Sequence, residues 1–91
     1  MEKISNTKEF RLDILVLKRI AEAFSCNIHL RKTRLHLASK LRWDSFVRYL
    51  EWLQNSNYVV CHISNGIQLY SLTHTGKEML ARLMNFLQYL K

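Results

Sequence analysis

The stretch from Thr33 to Asn55, TRLHLASKLRWDSFVRYLEWLQN, constrains this chain more than any other, because two short runs of helical period meet there at a tight break. Leu35, Ala38 and Leu41 recur on one face of the first run. Phe46, Tyr49, Leu50 and Leu53 do so on the second, and such spacing marks two amphipathic helices. Thr33 is placed to cap the first, which ends at the break from Leu41 to Trp43. On a wheel of about 100° per residue, Asp44, Ser45, Arg48, Glu51 and Asn55 lie opposite the apolar face of the second run. Trp43 falls near its apolar side and Trp52 on its flank. The pattern predicts a helix-turn-helix.

The remaining segments supply a scaffold for that motif. Asn6 and Glu9 have capping-box spacing, which predicts a helix from Thr7 to about Ser25 with Phe10, Ile14, Leu17, Ala21 and Phe24 as its apolar stripe and Ile20 widening it. Ile28 and Leu30 alternate with His29 and Arg31, the period of a half-buried strand within residues 26–32. Residues 58–63 and 67–72 are β-rich runs joined by Ser64-Asn65-Gly66, and Asn-Gly favours a hairpin turn. Thr73 then caps a last helix, residues 73–91, whose apolar residues Met79, Leu80, Leu83, Met84, Phe86, Leu87 and Leu90 form a face wide enough to cover the core on one side and meet a partner on the other. The order helix, strand, helix, helix, hairpin, helix is that of a winged helix. The expected class is therefore α+β, mostly α, a winged helix-turn-helix with a C-terminal dimerisation helix.

At 91 residues the chain has the size of a single domain, 1–91, and without proline and with only two glycines it is expected to be compact throughout. Fourteen Lys and Arg against seven acidic residues leave a charge of +7, which favours a polyanion such as nucleic acid or an anionic membrane surface. Eleven of the fourteen cations lie in residues 1–50, so the basic face belongs to the N-terminal half. There is no long apolar run and the N-terminus is polar, so neither a membrane span nor a secretory signal is expected, and the location expected is cytoplasmic.

Cys26 and Cys61 are far apart and form no CxxC. Together with His29 and His62 they fit no familiar zinc spacing. In a winged helix their strands are separated by an intervening strand, about 9.6 Å at two strand spacings, beyond the reach of a disulfide. Buried free thiols are expected. No nucleophile elbow, phosphate loop, paired carboxylates or HExxH occurs, so no enzyme, cofactor, metal or small-molecule ligand is expected.

The run KTRLHLASKLRWDSFVRYLEWLQNSNYVV followed by YSLTHTGKEML resembles the archaeal 10a-type winged-helix DNA-binding proteins over about residues 31–80. Tyr70, Leu72, Thr73 and Gly76 fall on the family's Tyr-x-Leu-Thr-x-x-Gly signature, and Thr33, Arg34, Leu41, Phe46, Arg48, Tyr49, Leu50 and Leu53 on its motif. The resemblance implies a DNA-binding homodimer. Here Arg42 takes the place of a small polar cap, the wing tip has no Lys or Arg, and the C-terminal helix is short.

The expected partner is thus double-stranded DNA, bound by Arg31, Lys32, Thr33, Arg34, Lys40, Arg42, Ser45, Arg48, Asn55, His62 and Asn65, with the C-terminal helices as the seam of a homodimer. Within residues 31–48 only Asp44 opposes six cations. Those six would meet phosphate, and Arg48 is the candidate for a guanine edge. Thr33 and Arg34 sit where free helix amides suit a phosphate oxygen. Asp44 and Glu51 limit base reading, so binding can be sequence-specific or architectural, in a regulator of transcription associated with the nucleoid. The alternative is a protein-interaction module of the same fold that uses Tyr49, Trp52 and the last helix.

Overall fold

The computed structural model describes residues 12–89. The chain runs α1 (Ile14–Cys26), α2 (Lys32–Ser39), α3 (Trp43–Asn55), β1 (Val59–Ser64), β2 (Ile67–Leu72) and α4 (His74–Tyr89). It is a mostly helical winged helix with a two-stranded antiparallel hairpin.

Helix α1 begins later than the periodicity predicts. Asp13 adopts an extended conformation and its carboxylate accepts a bond from the Leu15 amide at 2.9 Å, capping a helix that starts at Ile14 rather than Thr7. The Asn6–Glu9 pair and Phe10 lie outside the described residues. The buried stripe is Val16, Leu17, Ile20, Ala21 and Phe24, whereas Ile14 is exposed. Val16 takes its place in the stripe, and α1 packs on both α2 and α4.

No strand forms over residues 26–32, which is a second correction. The helix extends to Cys26, Ile28 is exposed, and only Leu30 pairs, in a single bridge to Tyr70. The Leu30 amide donates to the Tyr70 carbonyl at 2.9 Å and the Tyr70 amide to the Leu30 carbonyl at 2.7 Å. One residue suffices to tie the α1–α2 connection to the wing. Cys26 is exposed and Cys61 half-buried, both as free thiols, so the expectation of two buried thiols is corrected.

The two motif helices meet as their periodicity requires. Leu35, Phe46, Tyr49, Leu50 and Leu53 join the α1 stripe, Leu30, Val59 and Tyr70 in one core, with Leu41 packed against it. At about 25 cal/mol per Å² of apolar surface removed from water, burial of this kind is the main force holding the motif. Helix α3 closes with the residue Asn57 in the left-handed region (φ 65°), the Tyr58 amide bonding to the Leu53 carbonyl and the Asn57 amide to Gln54. This paired closure satisfies the last carbonyls and aims the chain into β1.

The wing turn is tighter than the three residues Ser64-Asn65-Gly66. Ser64 pairs directly with Ile67, so Asn65 and Gly66 alone make the turn, both at positive φ (52° and 79°). Thr73 caps α4 as its position predicts: its hydroxyl accepts from the Gly76 amide at 2.9 Å and donates to the Asn57 carbonyl at 2.6 Å. Gly76 is buried there, and a Cβ at that position would overlap the carbonyl of Tyr58. The Leu-Thr-x-x-Gly turn is therefore a steric and hydrogen-bonding joint between α4 and the start of the wing.

Candidate nucleic-acid interface

The break between α2 and α3 is built by Lys40, which takes the left-handed conformation (φ 60°) usually left to Gly or Asn. Several bonds hold it there. Ser39 is fully buried, its hydroxyl donating to the His36 carbonyl at 2.8 Å and accepting from the Leu41 amide at 3.2 Å. The His36 ring bonds through Nε2 to the Leu41 carbonyl at 2.8 Å, and Arg19 reaches from α1 to the Ser39 carbonyl at 3.2 Å. These bonds close the polar groups of the turn on one another, and the Lys40 side chain lies on the surface.

The residues expected to meet a polyanion fall mostly outside. Arg31, Thr33, Arg34, Lys40, Arg42, Arg48, Asn55 and Asn65 are exposed, while Lys32, Ser45 and His62 are half-buried. Thr33 is not the cap of α2. Arg31 holds that position without a side-chain bond, and Thr33 is the second residue of the helix. The chain connecting from Leu30 sets this register, since pairing with Tyr70 directs Arg31 to start the helix. Because the first amides of a helix have no partner within it, the start of α2 is a site of positive potential. Arg31, Thr33 and Arg34 line a cleft of about 340 Å³ there, together with Asn27 and His29.

Helix α3 also begins without a side-chain cap, at Arg42. Asp44 in its first turn accepts from the Ser45 amide at 3.0 Å and lies 3.7 Å from the Arg42 guanidinium. Both side chains are well exposed, so this pair is a weak surface contact that a phosphate can displace. The start of α3 therefore presents an exposed cation beside its first amides.

The wing contributes differently. His62 pairs across the hairpin with Leu69, its ring lies 4.9 Å from that of His29, and its Nε2 is buried with no hydrogen-bond partner. It lies midway along the wing, half-buried rather than fully solvated. Asn65 remains at the exposed tip, where its positive φ serves the turn.

Two tryptophans are resolved by the fold. Trp52 packs half-buried against the core with its ring 5.6 Å from Tyr58. Trp43, expected near the apolar side, has its ring 5.6 Å from the buried Phe46 ring while remaining 47% exposed at the first position of α3. Of the seven apolar residues of the last helix, Leu80 is buried in the chain's own core and Met79 and Leu83 pack against it. Met84 and Leu87 are half-buried, Phe86 is exposed, and Leu90 lies outside the described residues. Among the described residues no group of three or more His, Cys, Asp or Glu comes together, and no helix is long and apolar enough to cross a membrane.

Residues 12–91 match the family model described as winged helix-turn-helix. Solved structures similar to the chain include Sso10a-2, a DNA-binding protein from Sulfolobus solfataricus, at 18% identity and a TM-score of 0.70 over 87% of this chain and 81% of that one. A MarR family transcriptional regulator from Silicibacter pomeroyi is similar at 17% identity and a TM-score of 0.68, over 86% of this chain and 56% of that one. No curated protein matches the chain in sequence. At these identities the likeness to the solved structures is one of fold.

Proposed function

We propose, from the premise that this chain belongs to the winged helix-turn-helix family, that it binds double-stranded DNA as a homodimer and regulates transcription. The observation that carries this reading is the surface of the motif itself: Arg31, Arg34, Lys40, Arg42 and Arg48 are all exposed, with only Asp44 to oppose them within residues 31–48. Helix α3 would enter the major groove and α2 would cross the backbone. The similar solved structures include one named as DNA-binding and one as a transcriptional regulator, which supports the same reading.

Binding is mainly to the backbone. The starts of α2 and α3, with Arg31, Lys32, Thr33, Arg34 and Arg42, meet phosphates, and Lys40, Ser45 and Asn55 extend that grip along the motif. Arg48 reads a base edge within limits set by Asp44 and Glu51. Asn65 and His62 contribute at most a light contact from a wing without cations. The role is binding rather than catalysis, in one winged-helix unit associated with DNA in the cytoplasm.

The dimer seam lies on α4, in the manner of the 10a-type proteins, through Met84, Phe86 and Leu87 with Leu90 beyond them. An apolar cleft of about 330 Å³ beside it, lined by Ala21, Phe24, Leu72, Leu80, Ala81 and Met84, supports coverage of this side by a second copy. A gel-shift titration of duplex DNA at two salt concentrations tests the reading. A shift that weakens steeply with salt is the expected result, and none at low salt would sink it.

A further inference from the structure

We infer that Trp43 is itself a DNA contact, its indole lying on a deoxyribose between two phosphates held by Lys32 and Arg42; this rests on the DNA-binding reading above. Tryptophan is well buried on average, yet Trp43 leaves 47% of its surface open at the start of α3. It is nevertheless held on several sides. The His36 ring meets it edge-on at 5.0 Å, the buried Phe46 ring lies 5.6 Å away, and His36 is anchored in turn to the Leu41 carbonyl. The exposed indole is therefore a fixed apolar surface rather than a side chain adrift in water.

Lys32 Nζ lies over the Trp43 ring, 5.4 Å from the centroid, and Arg42, the preceding residue, has a side chain 87% exposed whose guanidinium is 3.7 Å from Asp44. An exposed indole with one cation over its ring and another on the preceding residue has the complementary chemistry of the DNA backbone, where each sugar lies between two phosphates. The faces of duplex bases are already stacked on one another, so flat stacking on a base would require opening the helix. The ring also packs towards α2 through Lys32 and His36, and in helix-turn-helix docking the first helix is the one that crosses the backbone. These relations place the contact on sugar rather than on a base edge, and make it independent of sequence.

Trp52→Phe leaves Trp43 as the single emitter of the two tryptophans. Its fluorescence should change on titration with short duplexes of unrelated sequence and saturate together with the gel shift. In the reciprocal Trp43→Phe chain, emission from Trp52 should stay constant. Hydroxyl-radical footprinting of the unaltered chain repeats the test without substitution: oxidation of Trp43 should fall several-fold on DNA and that of Trp52 should not. Trp43→Ala should weaken binding about tenfold, which corresponds to about 1.4 kcal/mol. DNA that shifts the chain while leaving Trp43 emission and oxidation unchanged overturns the inference, as does a response confined to particular base sequences. Absence of any shift for the unaltered chain at low salt defeats the DNA reading itself, a result the gel reports separately.

Discussion

The phenol oxygen of Tyr49 accepts a hydrogen bond from the main-chain amide of Asp13 at 2.7 Å, joining the middle of α3 to the residue that caps α1 across 36 positions of sequence. One side chain thereby fixes the second motif helix to the scaffold. Tyr49→Phe keeps the buried ring and deletes the acceptor, so it should cost about 1 kcal/mol. Urea denaturation should show this as a lower midpoint with an unchanged slope. An unaltered midpoint would mean that water replaces the phenol without loss.

Burial raises the Tyr49 hydroxyl above its ordinary value of 10.0, with the Asp13 amide opposing that shift and the Asp13 charge adding to it. Burial also raises Tyr70, assisted by the neighbouring Cys61 thiol. A group with a raised folded pKa binds its proton more tightly when folded. Its contribution is complete below pH 10 and is lost as pH climbs through the folded value. Stability should therefore decline above pH 10, and the decline should be shallower in Tyr49→Phe than in the unaltered chain. Equal slopes in the two proteins would assign the alkaline loss to other groups.

Gly76 sits in a helix, where alanine would ordinarily be preferred, but its missing Cβ leaves room for the Tyr58 carbonyl. The steric effect outweighs the propensity gain of about 1 kcal/mol. Gly76→Ala should destabilise the chain by about 2 kcal/mol as α4 is pushed off the wing. A thermal melt reads this directly, and a neutral or raised Tm would show that α4 shifts freely.

Each phosphate contact contributes about 0.9 to the slope of log affinity against log salt on duplex DNA. Arg42→Ala and Arg34→Ala should each reduce the slope by about that amount and weaken binding to all sequences alike. Arg48→Ala should instead alter discrimination among sequences. Unchanged affinity in Arg42→Ala combined with Arg48→Ala would remove the proposed surface.

Leu83 packs against the chain's own core, so a charge there would disturb folding as well as association. Phe86→Glu and Leu87→Glu separate the two effects better. Light scattering should give the mass of two 10.9 kDa chains for the unaltered protein and of one for the double substitution, with helical content retained. A single-chain mass for the unaltered protein would end the dimer reading.

The four apolar residues expected to face inwards on α3, Phe46, Tyr49, Leu50 and Leu53, are all buried, and the hairpin turns at Asn65 and Gly66. Both are local: helical spacing selects one face, and Asn-Gly tolerates positive φ. The start of α1 was also legible in principle, since Asp13 is a cap residue type directly before an apolar run. The Asn6–Glu9 pair has the stronger local pattern but lies outside the described residues. Thr33 failed as a cap for a related reason, because the register of α2 follows from the Leu30–Tyr70 bridge, forty positions apart in sequence, and not from the hydroxyl.

Residue order alone determined the succession of motif helices, hairpin and last helix, the inward face of the motif, the wing turn and the basic half of the chain, since each depends on neighbours a few residues apart. Tertiary structure decided which apolar residues of α4 stay in the core, that the segment before α2 pairs at one residue, and that Trp43 stays half-open with Lys32 over its ring. Those outcomes depend on where distant surfaces meet. Periodicity tells which side of a helix is apolar, but only packing tells how much of that side another element covers.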